Sequence, residues 1–400
     1  MQIGFRHYKT ISKNDVLYCI VLFVLVLISV LQNNVLIINA DFILKAFNYI
    51  ELVIYAVLVF LIVQKDYSVK HLLCAFLLGV ILLVGYYKSG MAIFVRALLL
   101  ILAARNVKFN SIQNTIMNSM TAGILISFML YLIQVIRGDM PIFLPEGHTL
   151  GFVAKNTSGE LLCLLGMMAM YTRIKQSEKI HYLFILTIGF VLYTVTKSKT
   201  AVMIFWITPF VMKLSIMIFK HRNSRILKFL FYAINPALFL FSYVTARLYP
   251  ENAFVQKLDN IVTNRIFLNS YVLNKYGTTL FGQHVNLHDT GIYNPVTGIG
   301  NITITVDNAY IVSLVSLGLI PTLIFITAYF LVLRKAFKDQ NYALVGIAVL
   351  LCLYGFTEVV TLEIYVNFVF FSLLADTKVL LLPRYMVSGL YSYKETSYEF

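Results

Sequence analysis

Apolar runs long enough to cross a bilayer follow one another along nearly the whole chain, separated by short polar clusters. A spanning helix needs about 20 apolar residues, and the pattern predicts spans at 16–38, 43–63, 69–87, 91–104, 112–136, 157–171, 180–196, 200–219, 226–248, 308–333, 341–357 and 362–382. The expected fold is an all-α polytopic membrane protein of about twelve transmembrane helices, with residues 1–400 forming one integral membrane domain. The first span is too long for a signal peptide, and SVLQNNVLII offers no small-x-small cleavage motif, so that span is expected to remain as an anchor.

One connection stands out, the segment 249–307 between spans nine and ten, and a loop of that length is usually functional. Its first half places Phe254, Leu258, Ile261, Leu268 and Val272 at helical spacing, which predicts an amphipathic helix on the membrane surface. Arg265 shares that stripe, either snorkelling at the interface or aimed at an anion beneath the loop. The Gly- and Asn-rich second half predicts turns and one short strand at 302–306. His284, His288 and Asp289 have a spacing that would need a helix to bring metal ligands together, so no metal is expected.

Composition agrees with the pattern: 60% of residues are hydrophobic and 12% charged, against roughly 25% charged in soluble domains. Mean hydropathy is +0.81. The Lys and Arg residues set an orientation. With the N-terminus inside, the inner segments hold twenty of them and the outer segments ten, Arg96 and Lys213 lying within spans. Both termini are therefore expected in the cytoplasm. This inner-face bias accounts for most of the net charge of +14, so no nucleic-acid partner is needed to explain it. Cys19, Cys74, Cys163 and Cys352 all fall inside spans, where they serve as small apolar residues.

Cations kept on the outer side run against that bias and invite an anion. Span eight begins KSKT, which puts Lys197 and Lys199 beside a helix N-terminus capped by Ser198. Free N–H groups and the positive end of the dipole suit a phosphate there; two solvated lysines in a tight turn are the alternative. Span six begins KNTSGE, with Lys155 and Asn156 ahead of a Thr157/Glu160 capping box. Span ten begins VDNAY, with Asp307 as its cap. Arg96 and Glu51 lie at similar depths inside spans four and two. An isolated charge there costs about 2.5–3.5 kcal/mol, so they form either a structural ion pair or part of a polar ligand cavity, and Glu358 in span eleven joins the same choice.

Five stretches, LGFVAKNTSG, TKSKTAVMI, the loop with Arg265 ahead of GTTLFGQ, VDNAYIVSLVSLGLI and GFTE, occur in an order that resembles the O-antigen and capsular polysaccharide polymerases of the Wzy type and the related O-antigen ligases. The resemblance covers about residues 140–370. It implies a GT-C-like fold and an inverting, cofactor-free glycosyltransferase that joins undecaprenyl-pyrophosphate-linked oligosaccharides at the outer face of the bacterial cytoplasmic membrane. A chain-length regulator and a flippase of the same capsule or exopolysaccharide pathway would be its partners, beside membrane lipid. Lys199 stands where such proteins usually carry Arg, Arg265 matches their outer-loop Arg, and Asp307 stands where many carry His. Lys197, Lys199 and Arg265 would hold the leaving diphosphate, and Asp307 would deprotonate the attacking hydroxyl, with His284 or Glu358 in reserve. Lys155, Asn156, Asn308, Tyr310, Arg96 and Arg247 complete the expected substrate-binding set, Tyr310 by stacking on a sugar ring. A ligase of the same fold and a flippase or transporter are the alternatives; no internal repeat supports the last.

The charge pattern predicts the topology directly. A reporter active only in the cytoplasm should give full signal when fused after Lys338 and background signal when fused after His288; the reverse pattern would overturn the orientation.

Overall fold

The computed structural model describes residues 12–138, 149–173, 178–220, 225–262, 264–286, 292, 294 and 306–377. In chain order the α-helices are α1 (Lys13–Leu31), α2 (Val35–Ile38), α3 (Asp41–Val63), α4 (Val69–Ser89), α5 (Ile93–Ala103), α6 (Phe109–Ile136), α7 (Lys155–Arg173), α8 (Glu178–Thr196), α9 (Lys199–Lys220), α10 (Arg225–Leu248), α11 (Ala253–Ile261), α12 (Arg265–Tyr276), α13 (Ala309–Val312), α14 (Leu319–Lys338) and α15 (Tyr342–Gly355). Among the described residues seven of these, α1, α3, α4, α6, α9, α10 and α14, are long and apolar enough to cross a membrane. The protein is all-helical and multi-pass. Of the remaining expected spans, α7 and α8 are helices of 19 residues each, whereas α5 has 11 and α15 only 14.

The core is built on α15, whose residues are almost all buried. Gly346 lets it approach α9: a Cβ there would stand 3.1 Å from the Ser215 hydroxyl, the close contact that small residues permit between membrane helices. Helices α7, α10 and α14 surround this pair, and α1 packs along α6, with Gly123 seated on Val30. Helices α3 and α4 present Phe42, Leu52, Phe60, Phe76 and Leu77 outward, as lipid-facing helices do.

Three expected elements take a different form, each for a local reason. Span one ends early because Asn33 and Asn34 turn the chain. Asn34 caps the single-turn α2 through Leu36 N at 2.9 Å, and the turn also receives the segment 151–153, through Val35 N to Gly151 O and Val153 N to Asn33 O, both at 2.9 Å. Span ten is broken. α13 passes into a π-helical turn at Ser313–Leu317, and the chain then reverses hand at Gly318 (φ +98°) before α14. Its cap is Asn308, which accepts from Tyr310 N and Ile311 N at 3.0 and 3.1 Å; Asp307 is left free of that duty. The exposed backbone of the break is satisfied by residues 279–283. Leu319 N and Ile320 N donate to Thr279 O and Leu280 O at 2.8 and 3.0 Å, and Gln283 N donates to Ser316 O at 2.9 Å.

Span twelve, in its described part (362–377), is not an α-helix. After α15 the chain runs through 3-10 turns at Val359–Leu362 and Phe368–Leu373. Non-helical backbone at membrane depth is tolerated only where protein surrounds it, and Thr361, Val366, Asn367, Phe368, Phe371 and Ser372 are fully buried. Asn367 donates to Tyr329 Oη at 2.6 Å and to Thr361 O at 2.8 Å. The far end is gripped by Lys335, whose ammonium donates to Ser372 O and Ala375 O at 2.5 and 2.7 Å. It then pairs with the α5–α6 connection through Phe109 N to Asp376 O at 2.9 Å. The expected strand at 302–306 lies, except for Val306, outside the described residues.

Gly318 holds a backbone angle that a side chain adopts only with strain, and a Cβ there would come within 2.8 Å of Leu280 O. Gly318→Ala should therefore destabilise the protein by at least about 1–3 kcal/mol, seen as a lower melting temperature in detergent; an unchanged midpoint would contradict the break.

Candidate functional site

The expected amphipathic helix of the long connection is two helices, and the place where it breaks decides what Arg265 does. Asn264 adopts a left-handed conformation (φ +65°). Asp259, at the end of α11, reaches across the break and accepts from Ile266 N and Phe267 N at 2.7 and 3.2 Å, so α12 starts on a carboxylate cap. α11 exposes Phe254 and Ile261, as a surface helix should, but α12 is buried through Ile266, Phe267, Leu268, Val272 and Leu273 and packs against α10. Arg265 is thus the first residue of a buried helix and is not a snorkelling side chain on an exposed stripe.

Its guanidinium points into a polar cluster. Nη2 lies 3.3 Å from Asp307 Oδ2 and 3.3 Å from Glu358 Oε1, and it donates to Thr200 Oγ1 at 3.4 Å. Nη1 donates to Thr357 O in the turn after α15. Glu160 of α7 lies within electrostatic reach of Glu358, Asp307 and Arg265. Three carboxyl groups therefore gather round one cation. They come from α7, from the connection ahead of α13 and from the turn after α15, while α9 and α12 add the hydroxyl and the guanidinium. The side chains of Arg265 and Asp307 remain 24% and 28% exposed, that of Glu358 4%. Arg265 and Asp307 are thus the more accessible members of the cluster and Glu358 the most enclosed.

Asp307 lies in a connection outside the spanning helices. Burial raises its pKa to about 6, the charge of Glu358 adds to the rise, and Arg265 opposes it. A carboxylate tuned in this way is a far better base near neutral pH than an ordinary Asp.

The other expected site residues divide. Lys197 takes a left-handed backbone (φ +55°) and lays its ammonium over the Tyr193 ring at 5.4 Å. Lys199 is exposed in the first turn of α9, next to Thr200, and joins none of the ion pairs among the described residues. Lys199 adjoins the cluster only through its neighbour Thr200, and both lysines stand outside its ion pairs. Ser198 is buried against Gly159, where a Cβ would stand 2.5 Å from its own. Asn156 is half-buried at the start of α7, and the side chain of Lys155 lies outside the described residues.

Tyr310 is not a stacking platform: it is buried and donates to Cys352 O at 3.0 Å. Asn308 is spent on its cap and on Ser242 Oγ at 2.9 Å. Arg247 reaches Asn274 Oδ1 at 3.3 Å and lies over Tyr243. His284 is exposed, and His288 and Asp289 lie outside the described residues.

Arg96 makes the expected pair with Glu51, at 3.3 Å, and a second with Glu363 at 3.8 Å. Tyr55 and Gln32 extend that group, the first accepting from Arg96 Nε at 3.0 Å and the second donating to Glu51 at 3.2 Å. Glu358 belongs to Arg265 and not to Arg96. Sequence reasoning missed Glu363, and it took Glu160 for part of a capping box with Thr157, whereas α7 already begins at Lys155 and Thr157 lies inside it. The signal for Glu363 is the repeated acidic residue in GFTEVVTLE, where Glu358 and Glu363 carry one irregular segment into two separate arginine clusters.

Removing Arg265 would leave a 4%-exposed carboxylate side chain facing two others. Breaking such a pair costs about 3–5 kcal/mol. Arg265→Ala should lower stability by that order and Arg265→Ala with Glu358→Gln by much less, measured as melting midpoints; equal losses would show that the carboxylates are not held by this guanidinium. No family model, curated protein or solved structure matches the chain.

Proposed function

We propose that the chain is a polysaccharide polymerase of the bacterial cytoplasmic membrane, both termini in the cytoplasm, that joins polyprenyl-diphosphate-linked repeat units at the outer face by inverting glycosyl transfer. One observation carries the reading: the five stretches on which the resemblance rests, scattered over more than two hundred residues, supply or directly flank the members of one cluster. GFTE gives Glu358, VDNAY gives Asp307, KSKT leads into Thr200, the long connection gives Arg265, and KNTSGE gives Glu160. GTTLFGQ supports them by closing the break after α13.

The chemistry follows from the charges. Transfer from a polyprenyl diphosphate needs a base for the attacking hydroxyl and fixed positive charge for the departing anion. Asp307 has the geometry and the raised pKa of such a base. Lys199, next to the cluster member Thr200, and Lys197 would meet the arriving diphosphate. In the free protein Arg265 divides one nitrogen between Asp307 and Glu358. A diphosphate competes for that nitrogen, and a carboxylate that loses its cation becomes more basic. Donor binding and activation of the base are thereby coupled through Arg265.

A second reading has its own observation. Two arginine–carboxylate clusters beside broken helices also describe a proton-coupled flippase or transporter. A third, the ligase, differs only in acceptor. Lipid-linked repeat unit supplied alone separates them: a polymerase lengthens it, a ligase leaves it, and a transporter moves it across a liposome without making a bond.

For the polymerase, Lys199→Ala and Arg265→Ala should abolish polymer in cells while the protein still inserts. Asp307→Asn should lose about 10²-fold or more in rate. The active form of Asp307 is deprotonated, so the wild-type rate should fall as pH drops through about 6. Wild-type chain lengths in both cation variants, or a flat acid limb, would sink the assignment.

A further inference from the structure

Helices α1 and α6 pack side by side, with Ser119 Oγ donating to Phe23 O at 2.6 Å and Gly123 seated on Val30. Toward their N-terminal ends lies a groove of about 410 Å³, lined by both helices and by Asp376. One wall is apolar and turned to the bilayer: Val16 and Ile20 are 46% and 55% exposed, and Phe23 follows one turn deeper. The other wall is polar. Ser111, Thr115 and Asn118 line it from α6, and Asn118 continues a row of exposed amides, Asn110, Asn114 and Asn118, spaced four residues apart on one helix face. Amides turned toward lipid are costly unless polar groups meet them.

The mouth carries both signs of charge. Asp15 stands on the first turn of α1, with its Oδ1 3.2 Å from Lys65 Nζ. Lys108 stands just ahead of α6, and Asp376 is placed beside it because its carbonyl accepts from Phe109 N at 2.9 Å. From the mouth inward the groove therefore offers carboxylates and an ammonium, then hydroxyls, then an amide, with hydrocarbon along one side. Asp15 to Phe23 is a rise of about 12 Å along the helix. A phospholipid with a primary ammonium headgroup presents the complementary groups in the same order over a similar depth: ammonium, phosphate, ester carbonyls and acyl chains.

We propose that this groove binds one zwitterionic aminophospholipid. Its ammonium lies between Asp15 and Asp376, and its phosphate meets Lys108 and the Ser111 hydroxyl. The Asn118 amide donates to an ester carbonyl, and an acyl chain runs along Val16 and Ile20. An anionic lipid without the ammonium sets its charge against two carboxylates that it cannot pair. The bound lipid straps α1 to α6 and to the irregular segment that ends at Asp376. This site is separate from the Arg265 cluster and independent of the transferase reading. α7 runs antiparallel to α6, with Tyr171 against Phe109 and Met168 O accepting from Gln113 at 2.8 Å, so Glu160 lies toward the opposite end of the bundle.

The test reconstitutes the full-length protein into bilayers of equal phosphatidylethanolamine and phosphatidylglycerol, extracts it in mild detergent and weighs it intact by native mass spectrometry. Wild-type protein should keep one phosphatidylethanolamine per chain, favoured over phosphatidylglycerol by about tenfold or more, the worth of one charge-assisted hydrogen bond. Asp15→Asn with Asp376→Asn should bring the two lipids to parity. Equal retention by wild-type protein, a preference for phosphatidylglycerol, or paired chains carrying neither lipid would overturn the assignment. If the double variant does not fold, Asn118→Leu decides, since it touches none of the charges: loss of the retained phosphatidylethanolamine supports the groove, and wild-type retention overturns it.

Discussion

The charge balance around Arg265 is the constraint on which the rest of this molecule turns. One guanidinium faces Asp307, Glu358 and Glu160 in a partly enclosed space, and such a group cannot carry three full negative charges without a counter-charge or a proton. The fold is arranged to keep these side chains together. Asp259 fixes the start of α12, Asn308 takes over the cap and leaves Asp307 to the site, and the turn after α15 presents Thr357 and Glu358 side by side. None of the five contributing segments is adjacent to another in sequence, so the cluster exists only when the helical bundle is complete.

The same economy governs the backbone. A helix satisfies its own hydrogen bonds in lipid, whereas a broken one must find partners elsewhere. The break at Ser313–Gly318 finds them in residues 279–283, and that dependence ties the long connection to the helix core. The two glycines at the contact, Gly282 and Gly318, each have positive φ and face each other's backbone. They permit the approach on which α13 depends, and α13 in turn sets the position of Asp307.

The membrane class, most spans and the candidates Arg265 and Asp307 were readable in the residues, because hydrophobic run length and isolated charges are local signals; the pairing of Glu358 with Arg265, expected instead beside Arg96, was not. What escaped was non-local. Nothing in YVNFVFFSLLAD distinguishes a lipid-facing helix from a buried irregular segment, since both are apolar and only the surrounding protein differs. The VTN sequence at 262–264 did not announce a break, because its cause is Asp259 capping from seven residues before Ile266. Glu160 fitted a capping pattern, and only the fold brings it within electrostatic reach of Glu358 and Arg265. Tyr310 looked like an outer aromatic because the buried turn of α13 around it has no signature in composition.

The segment that follows α15 has a bearing on how the protein is assembled. A stretch that satisfies only part of its own peptide groups bears the cost of the rest when it enters lipid alone, however apolar its side chains. Its carbonyl groups at Ser372 and Ala375 wait for Lys335, and Asn367 waits for Tyr329, both on α14. Its remaining polar groups are therefore satisfied only once α14 is in place beside it. Delivery of Glu358 to its arginine is thereby tied to the gathering of the bundle.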